Sequence, residues 1–252
     1  MEKILKIDDL NDYVSKNVVD FHDRRLKKIK SLSLNGILSK KNPYLFRAKN
    51  INLAADLIEN IMQAFLSSSE EPMFGEFLED LAIFISEKTY GGHKSSAEGL
   101  DLEFIKDNTH YVISIKSGQN WGNSSQVKKI VQDFDNCVRR LKQSSKKIEI
   151  KPVLGICYGK AKTVITKHNY WKIVGQNFWY LISGDPNLYL DIVKPIGHMA
   201  KENNESYLSA RNGILNRLTA EFIKEFCYPS GEIDWNRLVE FNSQNLDIDS
   251  DF

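Results

Sequence analysis

Residues 99–118 constrain the fold more than any other stretch. Leu100, Leu102 and Phe104 alternate with Asp101 and Glu103, and Ile113 and Ile115 alternate with Ser114 and Lys116. A period of two predicts two strands. The polar link Lys106-Asp107-Asn108-Thr109 predicts the turn between them. This pattern sends Leu100, Leu102, Phe104, Ile113 and Ile115 toward a core. Asp101, Glu103, Ser114 and Lys116 are then expected on the other face, with neighbours along each strand roughly 7 Å apart.

Carboxylates facing a lysine across a hairpin suit metal-assisted hydrolysis of a phosphate ester. Carboxylate oxygens are ligands for Mg²⁺, a hard cation. A metal in such a place acidifies its bound water and stabilises charge on the phosphoryl group. The lysine positions the water or neutralises the phosphate. The same residues also fit an ordinary half-exposed cross-strand ion pair.

Helical spacing organises most of the remaining chain. Residues 8–28 predict a helix, with a cap at Asp8 or Asp9, and 31–36 predict a break. Pro43 is expected to keep 38–49 from forming a smooth helix. Asn52 to Phe65 predicts an amphipathic helix, and Ser67 to Pro72 a linker. A new helix is expected from Met73 to Glu87, bearing Glu76, Glu79 and Asp80. After Lys116, a polar loop leads to a helix over 124–143 capped by Asn123 or Ser124, then to a buried strand over 148–158. Strand, helix and strand in that order predict a crossover and a parallel pair. Further helices are expected over 168–182 and 205–226, with a late strand or packed segment at 188–193 and an acidic tail from Ser230 that frays.

Charge and composition narrow the function classes. No apolar run approaches the 18 or so residues of a membrane span, and the first residues, Met1-Glu2-Lys3-Ile4, begin no signal-like segment. A cytoplasmic protein is therefore expected, with Cys137, Cys157 and Cys227 as reduced thiols without metal spacing. The net charge is +1, yet Arg24 to Lys49 holds nine Lys/Arg residues and no acid. Such a stretch serves as a local contact for a polyanion or as a solvated helix face. Its candidates for DNA contact are Lys40, Lys41, Asn42, Tyr44, Arg47 and Lys49. In the polar loop, Gln119, Asn120, Asn123 and Gln126 are chemically able to read bases, and Ser124 opens a helix whose first amides can hold a phosphate. Each of these residues also fits an ordinary loop or cap.

The order of elements resembles the PD-(D/E)XK nuclease superfamily: a helix with acids, a hairpin bearing Asp101 and Lys116, a crossover helix and a buried strand. More narrowly, Lys41-Asn42-Pro43-Tyr44-Leu45-Phe46, Phe74-Gly75-Glu76-Phe77-Leu78-Glu79, Gly99-Leu100-Asp101 and Ser114-Ile115-Lys116-Ser117-Gly118 look like a group of type II restriction endonucleases. The resemblance runs over roughly residues 38–200. It implies an α/β restriction-endonuclease-like core, a central mixed β-sheet flanked by helices, at 71–200. Helical additions are expected at 1–70, contributing to DNA binding, and at 201–252.

The resemblance also implies roles. Asp101 matches the metal-binding aspartate, Lys116 the motif lysine and Glu79 the glutamate on the preceding helix. Ser114 departs from the pattern, because it stands where an acid is expected two residues before the lysine. The missing metal contact is expected from Glu79, then Glu103, with Asp133 as a further candidate and the Ile115 carbonyl as a main-chain ligand. The implied activity is Mg²⁺-dependent cleavage of double-stranded DNA at a short palindromic sequence, by a homodimer, in a system that includes a DNA methyltransferase. Symmetric cutting of a palindrome calls for a two-fold dimer. A structure-selective repair nuclease on the same core, or a non-catalytic DNA-binding protein whose Ser114 marks a lost site, are the alternatives.

Overall fold

The computed structural model describes residues 5–144, 148–198 and 200–246. The first four residues, read above for a signal segment, and the end of the acidic tail lie outside them. In chain order the elements are α1 (Ile7–Lys30), α2 (Leu34–Leu38), α3 (Pro43–Ala48), α4 (Ala54–Tyr90), β1 (His93–Lys94), β2 (Leu102–Lys106), β3 (Thr109–Lys116), α5 (Ser124–Ser144), β4 (Glu149–Ile156), β5 (Val164–Ile165), β6 (Trp171–Val174), α6 (Gln176–Ser183), α7 (Leu188–Asp191), α8 (Val193–His198), α9 (Ala200–Phe226) and α10 (Trp235–Ser243). The chain divides into two compact units, one of residues 1–20 and 74–200, the other of 21–73 and 201–252.

The first unit is built on a six-stranded sheet of order β1-β2-β3-β4-β6-β5. β2 and β3 form the antiparallel hairpin, closed by Asp107 and Asn108 at φ 48° and 56°. Two successive residues with positive φ give a turn whose twist matches that of the strands. β3 pairs parallel with β4, and β4 parallel with β6, so α5 is a crossover connection. β5 returns antiparallel at one edge. One face of the sheet puts Leu102, Phe104, Ile113 and Ile115 against Leu78, Leu81 and Ile85 of α4. The other puts Val112, Leu154 and Ile156 against Ile130 and Phe134 of α5. Each such fully buried aliphatic stabilises the fold by about 1.5–3 kcal/mol relative to exposure.

The second unit is helical. Ile29, Leu57, Ile61, Leu218, Phe222, Phe226 and Leu238 form its core. The Arg25 Nε donates to Glu70 Oε1 at 2.9 Å, and its guanidinium lies 4.0 Å from the Tyr207 ring centroid. The two end regions, expected as separate additions, thus pack into one unit, while the first 20 residues go with the sheet.

Local expectations differ from the structure in several places. Ser67 to Pro72 is no linker: α4 continues through it as one 37-residue helix. Pro72 removes one main-chain donor, and the hydroxyls of Ser68 and Ser69 donate to the Ala64 and Phe65 carbonyls one turn back. As expected, 38–49 is not one smooth helix: α2 ends at Leu38, and Pro43 opens the separate α3, which Asn42 caps by accepting the Tyr44 and Leu45 amides. The helix expected over 168–182 is a strand followed by the shorter α6, since Gly175 at φ 59° breaks the helical path. Of the two readings of 188–193 the packed segment holds: it is helical rather than a strand, with Leu188 and Ile192 buried in the core. The tail from Ser230 contains α10, capped by Asp234.

Candidate active site

The hairpin brings Asp101 to the C-terminal end of β3. Gly99, at φ 75°, turns the chain into this position, with the Asp133 side chain packed where a Cβ would stand. The Asp101 amide donates to the Ile113 carbonyl at 2.8 Å, and the Asp101 carbonyl accepts from the Ser95 amide at 3.1 Å. Regular pairing begins only at Leu102. Leu100 therefore leaves the face expected for it and joins the cluster under α5.

Asp101 Oδ2 gathers three donors. It accepts from the Ile115 amide at 2.5 Å and from the Ser114 hydroxyl at 3.3 Å, and Lys116 Nζ lies 3.7 Å away. Ser114, almost fully buried, thus fixes the aspartate through its hydroxyl. The Lys116 ammonium also donates to the Ile115 carbonyl at 2.7 Å. Asp101, Ser114, the Ile115 carbonyl and Lys116 form one constellation.

Glu79, on α4, lies near enough for the charges of Asp101 and Lys116 to act on it. Burial raises its pKa first, the negative charge of Asp101 raises it further, and Lys94 and Lys116 offset part of this. Lys94 Nζ lies 3.5 Å from Glu79 Oε1. A carboxylate raised by burial and by a neighbouring acid is one that a nearby cation would stabilise. Two carboxylates with a main-chain carbonyl are a hard-oxygen donor set, which suits Mg²⁺. Among the described residues, no group of three or more His, Cys, Asp or Glu side chains is placed to hold a metal.

Glu103 stands apart from this group. Its Oε1 accepts the Ser95 hydroxyl at 2.6 Å, and its Oε2 lies 2.9 Å from His110 Nε2. The four-residue face expected for the hairpin is therefore split, because Glu103 sits two residues deeper in the sheet and is 5% exposed. Asp133 pairs with Lys129 at 3.6 Å. The Cys157 thiol is pushed up to about 12 by burial first and then by Glu79, with Lys116 opposing and Asp101 adding to the rise. Beside it opens a cavity of about 580 Å³, bordered by Phe74, Leu78, Trp179 and Tyr189.

The other expected contacts fall in two places. Lys40, Tyr44, Arg47 and Lys49 are exposed in the second unit, where Lys41 Nζ donates to the Ala64 carbonyl at 2.9 Å and Asn42 serves as the α3 cap. Gln119, Asn120 and Ser124 are exposed beyond β3. Asn123 is the α5 cap, accepting from Ser125 and Gln126, while Gln126 Oε1 accepts the Asn123 amide. That reciprocal box satisfies first-turn amides, which accounts for both residue types at that spacing. Sequence reasoning missed Lys94 and Ser95, because β1 is too short for any periodicity to mark them.

No curated protein matches the sequence. A family model described as type II restriction endonuclease EcoO109I matches residues 8–204, a span that contains Glu79, Asp101 and Lys116. With most of its length matched, the chain belongs to the type II restriction endonuclease EcoO109I family, enzymes that hydrolyse DNA phosphodiester bonds at specific sites.

Proposed function

We propose that this endonuclease is Mg²⁺-dependent and cuts both strands of duplex DNA at a short palindromic sequence as a homodimer. A DNA methyltransferase that marks the same sequence completes the system, and both act in the cytoplasm. The observation that carries the chemistry is the convergence of Asp101 Oδ2 with the Ile115 amide at 2.5 Å and Lys116 Nζ at 3.7 Å.

Asp101, Glu79 and the Ile115 carbonyl are the residues that would hold Mg²⁺. When bound, the ion lowers the pKa of a coordinated water and offsets charge on the phosphoryl oxygens. Asp101 needs no rearrangement to serve, because Ile115 and Ser114 already fix its carboxylate. The Lys116 ammonium orients the attacking water and neutralises charge growing on the scissile phosphate. Its hydrogen bond to the Ile115 carbonyl is one that a phosphate oxygen can replace. In-line attack leaves a 5′-phosphate on one product strand. Palindromic recognition by a dimer follows from the match between protein and site symmetry.

Digestion of unmethylated phage DNA with purified protein tests this reading. Discrete fragments that require Mg²⁺, disappear with EDTA and disappear in Asp101→Ala and Lys116→Ala are expected. A smear, or nicking selective for DNA structure, would replace sequence recognition by structure recognition. Binding without cleavage in any divalent metal would mean that Ser114 marks a lost active site.

A further inference from the structure

From Ile150 to Gly184 the chain has five lysines and no acid. The cationic part of this run that faces solvent leaves β4 directly beside the catalytic lysine. The Cys157 amide donates to the Lys116 carbonyl at 2.9 Å, and the Tyr158 amide to the Ser117 carbonyl at 3.0 Å. Residues 158–170 then form an arm along the sheet edge. Lys160, Lys162 and Lys167 on this arm are exposed. Among the described residues, none of the three forms an ion pair.

The arm has a fixed shape. β5 pairs with β6, Val164 opposite Lys172 and Ile165 opposite Trp171. The turn is closed by Asn169 at φ 59° and by the Thr166 amide donating to the Tyr170 carbonyl at 2.9 Å. Thr163 Oγ1 accepts from Asn177 Nδ2 at 3.3 Å. Ala161 packs on the cluster under α5, so the lysines on either side of it are left in solvent. An exposed, acid-free and pre-ordered set of ammonium groups at the end of the catalytic strand is suited to a polyanion that already lies across that strand end.

We infer that the 158–170 arm is a backbone clamp: Lys160, Lys162 and Lys167 neutralise phosphates of duplex DNA flanking the scissile bond. The inference rests on duplex DNA being the substrate. Strand neighbours are about 4.8 Å apart. The arm therefore starts one strand away from Lys116, within reach of phosphates next to the one that reacts. Phosphate contacts fix register and orientation and carry no sequence information. The clamp thus raises affinity for specific and unrelated DNA alike.

Equilibrium binding of a fluorescent duplex to the full-length protein tests this, on an Asp101→Asn background to prevent cutting, over a range of salt concentrations. Replacing all three lysines by alanine should weaken binding to every duplex. It should also reduce the slope of log affinity against log salt by about one for each phosphate no longer neutralised. The triple Lys→Arg variant should restore both. Lys151→Ala is the control: Lys151 belongs to the same acid-free run but pairs with Glu149 near the other end of β4, at 3.3 Å, and should bind as the parent does. Unchanged affinity and slope in the triple alanine variant, with a binding-competent parent, overturn the clamp alone. A parent that binds no duplex DNA overturns the clamp together with the reading of the substrate.

Discussion

Glu103 Oε2 lies 2.9 Å from His110 Nε2, and the other oxygen of the same carboxylate accepts the Ser95 hydroxyl at 2.6 Å. Ser95 in turn holds Asp101 through its main-chain amide. Glu103 is thus tied to the loop that positions Asp101, through Ser95, and to His110. Truncation to alanine strands buried partners, so Glu103→Ala should lose about 1–3 kcal/mol of stability in urea unfolding. Glu103→Gln should retain cleavage near the parent rate. Glu79→Gln should show the reverse, native-like stability with cleavage reduced at least about a hundredfold. If Glu103→Gln abolished cleavage while Glu79→Gln did not, the metal would belong with Glu103.

Asp101 and Lys116 have separable parts. Asp101→Asn keeps a side chain that fits the same space and removes a negative charge beside the DNA phosphate. It should bind duplex DNA at least as tightly as the parent and cut it at no measurable rate. Lys116→Gln should lower cleavage by about two to four orders of magnitude, the usual weight of a positioned proton-transfer or charge-neutralising group. Single-turnover cleavage, with binding measured in parallel, distinguishes these effects from a defect in DNA affinity.

How much of this was legible in the sequence depended on whether local chemistry or tertiary contacts decided each feature. The hairpin was legible because alternation and the Asp107-Asn108 turn are local. The α5 crossover was legible because a helix between two apolar strands leaves few alternatives. Pro72 misled because the absence of one amide costs less than ending a helix whose apolar residues are buried on both sides of it, Met62 and Leu66 before and Leu78 and Leu81 after. The position of Glu103 was not legible. Period-two alternation gives it the same face as Asp101, and only the Ser95 and His110 contacts reveal that it lies deeper in the sheet. The influence of the Asp101 charge on Glu79 links residues 22 positions apart through the fold, which no spacing rule encodes.

Gly175 and Gly213 should respond oppositely to the same substitution. Gly175 has φ 59°, and a Cβ there would run into the Gly159 carbonyl oxygen, a main-chain atom with no room to give. Gly175→Ala should lose at least about 1–2 kcal/mol from backbone strain alone, with the clash added. Gly213 lies exposed within α9 with nothing near its missing Cβ. Gly213→Ala should gain about 0.5–1 kcal/mol, because alanine is the better helix former and restricts the unfolded chain. Urea midpoints of the two variants measure both effects. A stable Gly175→Ala protein would show that the turn between β6 and α6 is free to relax.

His22 on α1 gives the second unit a pH dependence of defined sign. Burial lowers its pKa first and the Arg25 charge lowers it further, with Asp23 and Glu70 opposing. The native state therefore favours the neutral imidazole, while the unfolded chain protonates near the ordinary histidine value of about 6.5. Above that value both states are neutral and the full stability is present. As pH falls below it, the unfolded state binds the proton first and stability declines, until pH passes below the lowered native value and the loss levels off. Urea unfolding between about pH 8 and 5 should show this decline above the range where ordinary carboxylates titrate. His22→Gln should flatten it. A decline of the same size in the variant would place the responsible group elsewhere.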